Sequence, residues 1–301
     1  MPLVPENPDS TWPGCSCPLH ARRLFTGLLA GSALAGPAAW AQQGEGVQGD
    51  VGRTSRFTKL VSAQQVETAA AEQYLSMLKQ AGAQRALAGP DHPQVQRLRA
   101  IAKRIVPFTP PWNGRAQQWR WEVNLLMTKE LNAFCMPGGK IAFYYGILQK
   151  LQLSDDEVAT IMGHEVAHAL REHARERMGK TLATRGAIEI GAALFGLGNT
   201  GRAMADIGGQ LLTLRFSRED ETEADIVGME LAARAGYDPA AGVTLWQKML
   251  QANKGAPPEF MSTHPAGDTR IKDIQGKLPR VQPIYARASR PERRYGPPPA
   301  A

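Results

Sequence analysis

The stretch GHEVAHALREH, Gly163 to His173, places three histidines and two glutamates within eleven residues. Upstream, Ser154 precedes Glu157 at the spacing of a capping box, and Val158, Ile161, Met162, Val166, Ala169 and Leu170 recur at helical intervals. The sequence therefore predicts a helix from Asp155 to about Met178, with the histidines in its middle. On a helix His164 and His168 point within about 40° of one another, so both imidazoles reach one metal ion. Glu165 lies about 100° around, where it can face a metal-activated water without being a ligand, as a hydrolytic zinc site requires. His173 falls about 140° from His168 on a continuous helix and is expected to be solvated, as are Arg171 and Glu172. The longer zincin pattern, with a glycine and a third histidine, is not followed, because Arg171 and Ala174 occupy those places.

A zinc site with two histidines needs a third ligand. A carboxylate is expected, since no cysteine cluster is available. In SREDETEADIVGMELAARAG, Ser217 to Gly236, Glu221 and Asp225 stand four apart on a stripe shared with Ala224, Gly228 and Ala232. Small residues allow close packing against the histidine helix, and two carboxylates buried there are costly unless satisfied. Glu221 is read as a ligand and Asp225 as the acceptor that orients an imidazole N–H. Glu219, Asp220 and Glu223 lie on other faces and are expected to be solvated.

The remaining pattern predicts helices at Val61–Ala81, Gln94–Val106, Glu219–Ala235 and Pro239–Ala252. Two strands, in WRWEVNLLMT and KIAFYYGIL, flank NAFCMPGG, with Gly138 and Gly139 in the turn; this reads as a small antiparallel sheet. The Gly-rich apolar run 186–212 is interrupted by Glu189, Gly196 and Gly198 and is expected to be a flexible helical hairpin, not a membrane span. The fold class is α+β, mainly helical.

The chain has 301 residues, a net charge of +7 and 43% hydrophobic residues, enough for a substantial core. Arg22 and Arg23 precede an apolar run ending Ala39-Trp40-Ala41, which reads as an export signal over residues 1–41, cleaved after Ala41 and resembling a twin-arginine leader. The expected destination is the periplasm. Cys15 and Cys17 fall in the removed segment, leaving Cys135 alone as a small buried hydrophobe. Residues 42–60 read as a linker, 61–279 as the catalytic domain, and 280–301, with five arginines among prolines, as a disordered solvated tail. No nucleic-acid partner is expected.

With these motifs placed, about Gln65 to Lys277 resembles the gluzincin zinc metallopeptidases of the HtpX, CAAX prenyl protease and BepA type. The resemblance rests on NAF and PGG (Asn132–Phe134 and Pro137–Gly139), GHEVAH, SREDETEAD and THPAGDTRI (Thr263–Ile271). It implies one Zn2+ per chain held by His164, His168 and Glu221, with Glu165 as catalytic base. It also implies that His264 and Arg270 face the active site, His264 either donating to the oxyanion or filling the fourth zinc position. A strand near Asn132 to Cys135 would pair with extended substrate. The spanning helices and helical-repeat domain of other members are missing from the pattern, so the resemblance points to a soluble periplasmic endopeptidase of the BepA type. Its implied substrates are unfolded or misassembled envelope proteins, with outer-membrane assembly machinery as a partner. The alternative is a chaperone-like binding protein that rarely cuts; an intact Glu165 favours hydrolysis.

Overall fold

A computed structural model describes residues 46–185, 211, 214–252, 259–264 and 269–300. The export segment, residues 186–210 of the expected helical hairpin, and residues 265–268 lie outside the described residues.

Helix α1 (Ala63–Ala83) starts from the Ser62 side chain, and α2 (Pro93–Ile105) starts from His92 with proline at its first position, where a missing N–H costs nothing. Both agree with the sequence pattern to within about two residues. The sheet does not. It holds β1 (Glu122–Leu126), β2 (Ala133–Met136) and β3 (Lys140–Tyr144) in the order β1-β3-β2, with β1 parallel and β2 antiparallel to β3. The stretch NAFCMPGG, a connection by its pattern but a strand near Asn132 to Cys135 by the resemblance, supplies the edge strand β2. Gly138 and Gly139, at φ +85° and +77°, then make the tight turn into β3. Because β2 intervenes in sequence, the two predicted strands come to lie parallel, and the sheet is mixed. Helix α3 (Tyr145–Lys150) follows β3 directly, where the sequence predicted continued strand.

Helix α4 (Asp155–Leu170) opens with the expected capping box: Glu157 N–H donates to Ser154 Oγ and Ser154 N–H to Glu157 Oε2. Every residue from Glu157 to Leu170 is buried, so α4 is the central element, enclosed by β2, α2 and the later helices α6 (Arg218–Arg234) and α7 (Ala241–Ala252). It stops at Leu170. Glu172 takes a left-handed φ of +58°, which costs a non-glycine residue about 1–2 kcal/mol, and α5 (His173–Arg185) begins immediately. Helix α6 has its own capping box between Ser217 and Asp220, which buries Asp220 instead of leaving it solvated.

Helices α4 and α6 cross at glycine on both sides. A Cβ added at Gly163 would lie 2.6 Å from Gly228 O, and one at Gly228 2.6 Å from His164 N. Helix α8 (Glu259–Thr263) and α9 (Arg270–Arg287) complete the body.

The expected disordered tail is a correction. Residues 280–287 are the last turns of α9, running through Pro283, and the extended segment beyond them lies against the start of α4. Tyr295 and Gly296 donate their amides to Asp155, and Arg294 pairs with Asp156 at 2.7 Å. Composition alone misled here, because the tail needs no core of its own when the acidic first turn of α4 takes its donors. No helix among the described residues is long and apolar enough to cross a membrane.

Candidate metal centre

Four buried side chains converge below the turn between α4 and α5. His164 and His168 come from successive turns of α4, Glu221 from the first turn of α6 and His264 from just after α8; each is no more than 4% exposed. The facing Nε2 atoms of His164 and His168 are 3.0 Å apart. Glu221 carboxylate oxygens stand 3.5 Å from His164 Nε2 and 3.4 Å from His168 Nε2. His264 Nδ1 lies 3.3 Å from His164 Nε2 and 3.0 Å from Glu221 Oε1. Nitrogen and oxygen donors held at about 2.0–2.2 Å on a tetrahedral zinc ion stand about 3.3–3.6 Å apart; the 3.3, 3.4 and 3.5 Å separations lie in that range, the two at 3.0 Å fall short of it, and imidazole nitrogens with a carboxylate are donors that suit the ion. Glu165 adds a second sign that a polar group belongs here: its Oε1 is buried with no hydrogen-bond partner, 3.4 Å from His264 Nε2.

The surrounding charges prepare the donors. Burial pushes the Glu165 carboxyl up from the ordinary carboxylate range. Burial alone would also raise Glu221, but the His264 and His168 rings outweigh it and hold the carboxylate well below its ordinary range. Asp225 follows the same logic, with burial overcome by Arg270 and His164. Burial keeps His168 neutral, with a lone pair to offer. His264 goes the other way: burial would lower it, yet Glu165 and Glu221 raise it.

Asp225 Oδ1 stands 3.0 Å from His164 Nδ1. Arg270 reaches the site from behind. It grips Asp225 with Nε and Nη2, both at 2.7 Å, donates Nη1 to Glu221 Oε2 at 2.8 Å, and lies over the Trp246 ring at 3.7 Å. It thereby bonds both carboxylates at once, with the planar fork of donors that a guanidinium offers.

His173 is the main correction. It is 1% exposed and lies against the site, its Nδ1 2.9 Å from His168 Nδ1 and its Nε2 2.9 Å from Glu223 Oε2. The break at Glu172 turns it back towards His168, whereas a continuous helix would have carried it away. Glu223 and Arg171, also expected to be solvated, are joined to each other at 2.7 Å, and Glu172 pairs with Arg175. Burial would raise Glu223, but His173 and Arg171 outweigh it and lower its carboxyl. No glycine or proline marks the break, so the helical pattern hid all three residues. Phe216, stacked on His168 at 4.0 Å, escaped notice because it lies outside any periodic element.

A cleft runs from this cluster along β2, lined by Asn132, Phe134, Cys135, Glu165, His168 and Phe216. Cys135 is buried in its wall, as expected. Strand β2, an edge of the sheet, lines this cleft together with Glu165.

Residues 92–278 match the family model of peptidase family M48. The chain is 33% identical over 194 residues to the mitochondrial metalloendopeptidase OMA1 of Schizosaccharomyces pombe, a match covering 64% of this chain and 55% of that one. It is 30% identical over 155 residues to metalloprotease LoiP of Escherichia coli, covering 50% and 60%. It is 26% identical over 175 residues to the beta-barrel assembly-enhancing protease of Escherichia coli, covering 55% and 36%. In each case the match spans less than two thirds of the relative's own length.

Proposed function

The chain belongs to peptidase family M48, and from that premise we propose that it is a zinc-dependent metalloprotease, that His164, His168 and Glu221 hold the ion, that Glu165 is the general base, and that the substrates are unfolded or misassembled proteins of the cell envelope. The observation that carries the assignment of roles is the buried Oε1 of Glu165, with no hydrogen-bond partner and only the His264 ring at 3.4 Å, beside three donors gathered as for one ion. A zinc ion held there would supply a Lewis acid and would lower the pKa of a bound water towards neutrality.

Glu165 takes the water proton and delivers it to the leaving amine, a double task suited to a carboxyl raised by burial. Asp225 fixes the His164 ring, and Arg270 fixes Asp225 and Glu221. Substrate enters extended, pairs with the outer edge of β2 and displaces His264 from its place beside Glu221. Pairing through backbone groups reads little sequence, which suits a protease whose substrates share exposed, extended chain and not a common motif. The proposal of an envelope location rests on the export pattern of residues 1–41.

The test incubates the purified zinc-loaded protein with an unfolded polypeptide, then removes the metal with a chelator and restores zinc. Cleavage that stops and returns supports the reading; tight binding of the unfolded chain with no cleavage at any zinc level favours the chaperone-like alternative. Cell fractionation checks the location separately, and recovery in the cytoplasm alone would refute it.

A further inference from the structure

The two candidate zinc imidazoles are supported by different devices. His164 meets its carboxylate directly, Nδ1 to Asp225 Oδ1 at 3.0 Å, and that carboxylate is clamped by Arg270. His168 meets no carboxylate with its Nδ1. Its neighbour there is His173 Nδ1 at 2.9 Å; His173 Nε2 then meets Glu223 Oε2 at 2.9 Å, and Glu223 Oε1 is held by Arg171 Nη2 at 2.7 Å. Arg171 Nη2 also donates to the Gly52 carbonyl, which ties the end of the chain to the segment before α1. Both arms therefore end in a carboxylate of α6 paired with an arginine, but one contains an additional imidazole.

The protons along this chain follow from geometry. Only Nε2 of His168 faces the metal position, so that nitrogen keeps its lone pair and Nδ1 carries the hydrogen. Two Nδ1 atoms at hydrogen-bond distance require one donor and one acceptor, so His168 donates and His173 accepts. The hydrogen of His173 is then on Nε2, aimed at Glu223. Each link permits a single tautomer.

We propose that His173 is a positioning residue that fixes the tautomer and ring plane of His168 for zinc, with Glu223 and Arg171 as its anchor. The inference rests on the assignment of His168 as a ligand. It gives the left-handed turn at Glu172 a purpose, since that turn is what returns His173 to His168. It also explains why Glu223 and Asp225, two positions apart on α6, both point to the site: each serves one histidine of α4.

The experiment measures zinc affinity by chelator competition and the absorption spectrum of the cobalt-substituted protein for wild type, His173→Leu and His173→Gln. Glutamine can accept from His168 through its amide oxygen and donate to Glu223 through its amide nitrogen, whereas leucine can do neither. Replacing a group that orients a metal ligand costs about 10- to 100-fold in affinity. Leucine is expected to show that loss and a changed cobalt spectrum, with the metal-free protein melting like wild type, and glutamine to recover most of both. Affinity within twofold of wild type and an unchanged spectrum for His173→Leu would overturn the proposal. Should the leucine variant fail to fold, histidine nitrogen NMR of the zinc-loaded wild type decides: a neutral His173 with hydrogen on Nε2 supports the relay, and hydrogen on Nδ1 refutes it. A wild type that binds no zinc at all would instead sink the ligand assignment on which the relay depends.

Discussion

Gly228→Ala tests whether the crossing of α4 and α6 sets the geometry of the metal centre. The added Cβ would stand 2.6 Å from the His164 amide nitrogen and 2.8 Å from the Gly163 carbonyl carbon. Ordinary contact begins at 3.4 Å, so α6 must retreat by the difference between 3.4 and 2.6, about 0.8 Å. The obstacle is backbone in a fully buried helix and cannot rotate aside. A helix moves as a unit, so Glu221 and Asp225 on the same face retreat with residue 228. Metal sites tolerate about ±0.2 Å in ligand distance, so the shift exceeds what the centre can absorb. We expect zinc affinity to fall about 10-fold or more, and overpacking to remove about 1–3 kcal/mol of stability from the metal-free protein. Chelator competition reads the first quantity and urea unfolding the second. Zinc affinity within a factor of two of wild type would refute the reasoning, even with stability lowered.

Glu221→Ala should abolish stoichiometric zinc, while Asp225→Asn should weaken it about 10- to 100-fold; metal analysis after gel filtration separates them, and equal losses would contradict the different roles given to the two carboxylates. His264→Ala should raise basal cleavage and self-cleavage, because its imidazole stands 3.0 Å from Glu221 Oε1 where substrate must enter. Wild-type rates with an unchanged cobalt spectrum would remove His264 from the site. Deleting residues 289–301 should cost about 1–3 kcal/mol through the lost amide donors to Asp155, and an unchanged urea midpoint would show that the tail contributes nothing.

The convergence of His164, His168 and Glu221 was legible because each belongs to a helix with strong periodic signals: the Ser154 and Ser217 caps fix where α4 and α6 begin, and fixed helical spacing then fixes what faces what. The small-residue stripe at Ala224, Gly228 and Ala232 was legible for the same reason, and the glycine crossing is its physical outcome. What failed was continuity. The end of α4 carries no breaker, so Glu172 in a left-handed turn reverses the expected direction of His173, and Arg171 and Glu223 follow it inwards. Strand β2 came only through the resemblance, which implied a strand near Asn132 to Cys135, and not through periodicity, since four residues are too few to display alternation and the glycines beside them read as loop. The C-terminal segment shows a third limit: local composition says what a segment can bury by itself, not what its donors find elsewhere, here the carboxylates of Asp155 and Asp156.

The central claim is that a zinc ion and Glu165 together hydrolyse peptide bonds at this site, and Glu165→Gln tests it most directly. Glutamine keeps the shape of the side chain and removes the base. Zinc content, melting temperature and the rate of cleavage of an unfolded polypeptide are measured side by side with wild type. Equal zinc, an unchanged melting temperature and a loss of cleavage of about 10²- to 10⁴-fold, the contribution of a positioned general base, are expected. Cleavage within a few-fold of wild type by the zinc-loaded variant, or loss of zinc along with activity, would contradict the claim.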